Sequence, residues 1–66
     1  MTKDILEPYL NKKIKLGIEG RKNCLLGIFE KFDTNLDMAM GETDAIVLKQ
    51  NKKTLLIPIS LIKSII

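Results

Sequence analysis

The sequence predicts a mainly β domain, a small five-stranded, strongly bent antiparallel barrel with a short N-terminal helix. Three observations carry that expectation. Apolar and polar residues alternate at period two through most of the chain after Lys13. Clusters of Gly, Asn, Asp and Lys cut the alternation into short runs. Helical spacing is confined to the first residues.

At the N-terminus, "TKDILEPYLNKK" has Thr2 as a candidate N-cap, Asp4 in the first turn, and Ile5, Leu6, Tyr9 and Leu10 at helical spacing. Pro8 limits this helix to about two turns, with the proline near its start or at a kink. From Lys13 the period becomes two, with Ile14, Leu16 and Ile18 on one face and Lys13, Lys15 and Glu19 on the other. "EGRKN" then supplies a turn. "CLLGIFEKF" reads as a second strand in which Gly27 marks a sharp bend or a close backbone approach. A third strand is expected after "DTN", from the alternation of Leu36, Met38 and Met40, resuming through "AIVLKQ". "NKK" is the next turn, and "TLLIPISLIKSII" closes the chain as two strands broken around Pro58 to Ser60.

The chain has 66 residues, one domain spanning 1–66, and a body of that size buries only about 60% of the surface its unfolded form exposes. With 45% of residues hydrophobic, some apolar surface calls for a partner subunit. The single cysteine, Cys24, forbids an internal disulfide and reads as a small core residue. No secretory signal or membrane-spanning apolar run is evident, so the expected location is cytoplasmic, away from membranes. Histidine is absent, which removes the commonest general base and, beside one cysteine, any self-contained zinc site. No enzyme, no cofactor and no metal is expected. The net charge of +3, from ten lysines and one arginine against eight carboxylates, suits a polyanionic partner.

"FDTNLDMAM" places Asp33, Asn35 and Asp37 at alternate positions. A calcium loop would use them as its first three ligands, but Met38 stands where that loop needs glycine, and the flanks alternate like strands. An acid/base pair on Asp33 and Asp37 would need a pocket that so small a barrel hardly offers. A turn remains, with Asp33 bonding nearby backbone amides. Lys12, Lys13 and Lys15 read as a solvated face and Lys49, Lys52 and Lys53 as a loop. Tyr9, Phe29 and Phe32 read as core.

Gly27, Phe29, the Phe32-Asp33 pair and Asp37 four residues later, followed by Met38 and Met40, keep the spacing of a known signature. A second, C-terminal signature is similar in its hydrophobic frame to "LLIPISLIKSII". On these residues the chain resembles the Sm and Sm-like (Hfq-like) proteins, whose fold is an SH3-like barrel. The resemblance implies a homo-oligomeric ring of about five to seven subunits, in which the fourth strand of one subunit pairs with the fifth of the next. Leu55, Leu56, Ile57, Ile62 and Ile65 would then form the subunit interface. It also implies single-stranded RNA held around the pore, with Asn35, Asp37 and Ser60 as the contacts and Asp33 as the loop brace. Asp37 replaces the family's asparagine, Asn35 its usual stacking residue, and Pro58 and Ile59 its arginine-glycine pair. An RNA-binding or RNA-chaperone module is therefore expected, and the alternative is a ring that has lost uridine binding and serves as a protein-interaction scaffold.

Overall fold

A computed structural model describes residues 1–39 and 41–66, and only the backbone of Asp37. The N-terminal helix α1 (Lys3–Leu6) runs directly into a 3₁₀ turn, Glu7–Tyr9. Pro8 lies in the first positions of that turn, where its missing N–H removes no helical bond. Thr2 takes the N-cap position with extended backbone, but its side chain makes no capping bond. Helix α1 is held instead by Leu6, its one buried side chain, which at 0% exposure contributes about 2 kcal/mol by leaving water. Tyr9, expected in the core, is exposed. Asn11, with φ of 64°, turns the chain out of the 3₁₀ segment and donates its amide to the Phe29 carbonyl at 2.7 Å.

Five strands follow: β1 (Lys13–Ile18), β2 (Leu25–Asp37), β3 (Gly41–Gln50), β4 (Lys53–Pro58) and β5 (Ile62–Ile65). They form one antiparallel sheet in the order β4-β3-β2-β1-β5. The fold is therefore mainly β with a short N-terminal helix, as the alternation predicts. No ladder joins β4 to β5, so the sheet is open among the described residues and each of these strands is an edge. Strand β2 is the hinge of the architecture. Its first residues, Leu25 to Ile28, pair with β1, while Ile28 to Asp37 pair with β3. A register shift between Phe29 and Lys31 marks the crossing, where an extra residue increases strand twist.

The alternating residues meet inside this bent sheet. Ile14, Leu16 and Ile18 of β1, Phe29 of β2, Ile46 and Leu48 of β3 and Ile57 of β4 are all buried, with Leu6 over them and Ile59 and Ile62 beside them. Phe32 packs edge-on against Phe29, ring centroids 5.0 Å apart at 89°, a favoured aromatic arrangement. Cys24 is half-buried just before β2.

The hairpin turn does not fall at "DTN". Asp33, Thr34 and Asn35 lie inside β2, paired with Ala45, Asp44 and Thr43, and the chain reverses at Met38 and Ala39, with Gly41 at φ of 78°. The expected alternation of Met40 lies outside the described residues. Because the Asp33–Asp37 segment is a ladder and not a loop, it lacks the concave backbone that a calcium loop needs.

Lys3 ties the helix to the sheet: its Nζ is 3.2 Å from Asp44 Oδ1 and 5.8 Å from the Phe32 ring centroid. Both charged side chains are more than half exposed, so solvent screens the pair. Lys3→Ala is expected to lower stability by less than about 1 kcal/mol in urea unfolding. A larger loss would mean that the pair, and not Leu6, anchors α1.

Candidate nucleic-acid interface

A depression of about 380 Å³ opens where the β2–β3 hairpin meets the 3₁₀ turn Ile59–Leu61. Asn35 enters it from β2, Thr43 from the facing position on β3, and Ser60 from the 3₁₀ turn, while Met1, Pro58 and Leu61 supply apolar wall. The Thr43 hydroxyl donates to the Asn35 carbonyl at 3.3 Å. The partner in that bond is the main-chain carbonyl, and the Asn35 side-chain amide carries donors and an acceptor in one plane. The depression can therefore hold a planar polar group against aliphatic side chains. The carboxylate of Asp44 also lines it, balanced in part by Lys3, which disfavours phosphate at that spot.

Two of the three residues expected to contact RNA, Asn35 and Ser60, thus share one site although 25 positions separate them in the chain (60 − 35). The side chain of Asp37 lies outside what is described. Asp33 is elsewhere on β2, where its Oδ1 accepts the Thr34 amide at 2.7 Å. Thr43 and Asp44 escape a reading of the sequence because only the β2–β3 register puts them opposite Asn35 and Thr34.

The residues expected at a subunit interface divide in two. Ile57 and Ile62 are buried within the chain's own core, and Leu55 and Ile65 pack against that core. Leu56 projects into solvent at 46% exposure. What β4 and β5 offer a neighbour is therefore a backbone edge, with Leu56 exposed on β4 and Ile66 exposed just past the end of β5.

The lysines also regroup. Lys13, at the start of β1, is brought beside Lys49, Lys52 and Lys53 around a second, larger groove of about 850 Å³. Among the described residues, no group of three or more His, Cys, Asp or Glu is placed to hold a metal ion. No described helix is long and apolar enough to cross a membrane.

No family model matches the chain, and neither a curated protein nor a solved structure does.

Proposed function

We propose that the chain is an Sm-like, ring-forming protein whose bent sheet is the family's barrel and which binds single-stranded RNA near the ring pore, as an RNA chaperone with no catalytic step. One observation carries this above the others: the two apolar C-terminal strands stand at opposite edges of the sheet, each paired on one side only. Such edges template pairing with another chain. A heterologous contact of β4 with a neighbour's β5 closes into a ring when its rotation permits. The shared depression of Asn35 and Ser60 supports the RNA half of the reading.

Asp37 then determines base choice. An asparagine both donates to and accepts from a base edge, whereas an ionised aspartate only accepts. Guanine offers two adjacent donors on its Watson-Crick edge, so a base held by Asp37 shifts from uracil toward guanine. Repeated in every subunit, Asp37 and Asp44 weaken RNA binding through charge. That acidity favours a second reading, a ring used as a protein-interaction scaffold.

The test is a competition among short unstructured U-rich, A-rich and G-containing RNAs on the parent and on Asp37→Asn. Weak, salt-sensitive binding with a preference for the G-containing RNA is expected of the parent, and tighter U-rich binding of Asp37→Asn. No binding of any RNA by either protein would select the scaffold.

A further inference from the structure

The longest ladder of the sheet runs from Ile28 opposite Lys49 to Asp37 opposite Gly41. Its two ends have opposite chemistry. At the turn end, Leu36 is 74% and Met38 98% exposed, two large apolar side chains with no cover in the subunit. The sequence around them, Asp33 to Asp44, carries four carboxylates (Asp33, Asp37, Glu42, Asp44) and no lysine or arginine. At the other end lies the 850 Å³ groove, with Lys13, Lys49, Lys52 and Lys53 around it and no acidic residue among the described residues of its lining. Leu26 and Ile28, 51% and 43% exposed, form its apolar floor. Gly27 between them faces the other way, toward buried Leu48. The Gln50 amide, donating to the Leu26 carbonyl at 2.9 Å, holds the wall against the floor.

We propose that the hairpin tip of one copy docks in the lysine groove of a second copy, joining units head to tail. Each surface supplies what the other lacks: exposed Leu and Met against exposed Leu and Ile, and a segment whose sequence is rich in carboxylates, of which Asp44 is already paired with Lys3 of its own subunit, against four lysines. A subunit cannot satisfy itself, because nine residues of strand, about 30 Å along the chain, run between the two ends and hold them apart. A lipid surface does not fit the tip, since anionic headgroups repel its carboxylates. Single-stranded RNA fits the groove less well than the tip does, because among the described residues no aromatic side chain lines it for base stacking. The contact is heterologous, so it propagates from unit to unit unless its rotation closes it, and it meets β4 only at Lys53, the first residue of that strand. It operates equally between monomers and between rings and does not depend on RNA.

The experiment is sedimentation velocity on the parent and two double variants, Met38→Lys/Glu42→Lys at the tip and Lys52→Glu/Lys53→Glu at the groove. All four positions are exposed, so the fold survives the changes. At low salt the parent's average mass is expected to rise with concentration to at least about twice that of its unit, and to fall back to the unit in about 0.5 M salt, where screening shortens to a few ångströms. Each variant alone stays at the unit. Their mixture pairs and stops, because only one intact tip and one intact groove remain per pair. A parent mass indifferent to salt and concentration overturns the proposal, as does a mixture that remains unpaired. Polynucleotide binding lost in the groove variant while no protein changes mass assigns the groove to RNA, and also overturns it.

Discussion

Gly27→Ala is expected to lower the stability of the domain by about 2–3 kcal/mol, a large share of the roughly 3–10 kcal/mol that a chain of this length possesses. A Cβ built at Gly27 meets Leu48 Cγ and the Lys49 carbonyl oxygen, both at 2.7 Å. Neither neighbour can move aside. Leu48 is fully buried, and the Lys49 carbonyl belongs to the β3 backbone where it faces Ile28. The added methyl therefore pushes β2 and β3 apart at the point where β2 passes from one partner to the other. Gly17 gives the control. Its Cβ would meet Ser64 Oγ at 2.6 Å, but that is the end of an exposed side chain, and rotation about one bond removes it. Gly17→Ala is expected to cost less than about 1 kcal/mol. Urea midpoints of the two variants decide the matter. Equal losses would mean that the close approach at Gly27 is not what bends the sheet.

Gly27 also shows what kind of information a sequence holds about this fold. A glycine among bulky strand residues signals a bend or a close approach, and the close approach occurs there, with the register shift just beyond it, between Phe29 and Lys31. Ile14, Leu16 and Ile18 are legible for a similar reason, because period two is set by the residues themselves and needs no partner. The position of the hairpin turn is not local in this sense. "DTN" has strong turn composition, yet Asp33, Asn35 and Asp37 also alternate with Thr34 and Leu36 as a strand requires. The choice is made by the facing residues, Thr43 to Ile46, which complete a ladder only if the chain reverses later. Reading the turn too early hides the protruding tip, and with it the exposure of Leu36 and Met38. The lysines are lost in the same way, since Lys13 and Lys49 to Lys53 form two runs in the chain and one rim in space. Asn35 and Ser60 were linked by resemblance to a family, and the depression they share adds Thr43 and Asp44, which only register could supply.

The largest expected effect on assembly belongs to Leu56→Lys, with a rise of about 100-fold or more in the dissociation constant for subunit association. In the isolated chain Leu56 is nearly half exposed on edge strand β4, so a lysine there reaches water and leaves the core intact. Once β4 is covered by a neighbour's β5, that ammonium is enclosed without a counter-charge, which costs several kcal/mol. Ile65→Lys behaves differently. Ile65 is half-buried against its own core, so its replacement weakens folding as well as pairing, and only the Leu56 variant separates the two. Edge pairing rests on backbone hydrogen bonds and apolar burial, which salt does not screen, whereas head-to-tail docking of the hairpin tip disappears in strong salt. Light scattering on a sizing column at high salt therefore isolates the edge contact. The parent is expected to elute as a closed ring and Leu56→Lys as a folded monomer, the two sharing one urea midpoint once both are diluted to where the parent also dissociates. A parent that is monomeric under these conditions, or a variant that assembles as tightly as the parent, would leave β4 and β5 as edges without a partner, and the ring with it would fall.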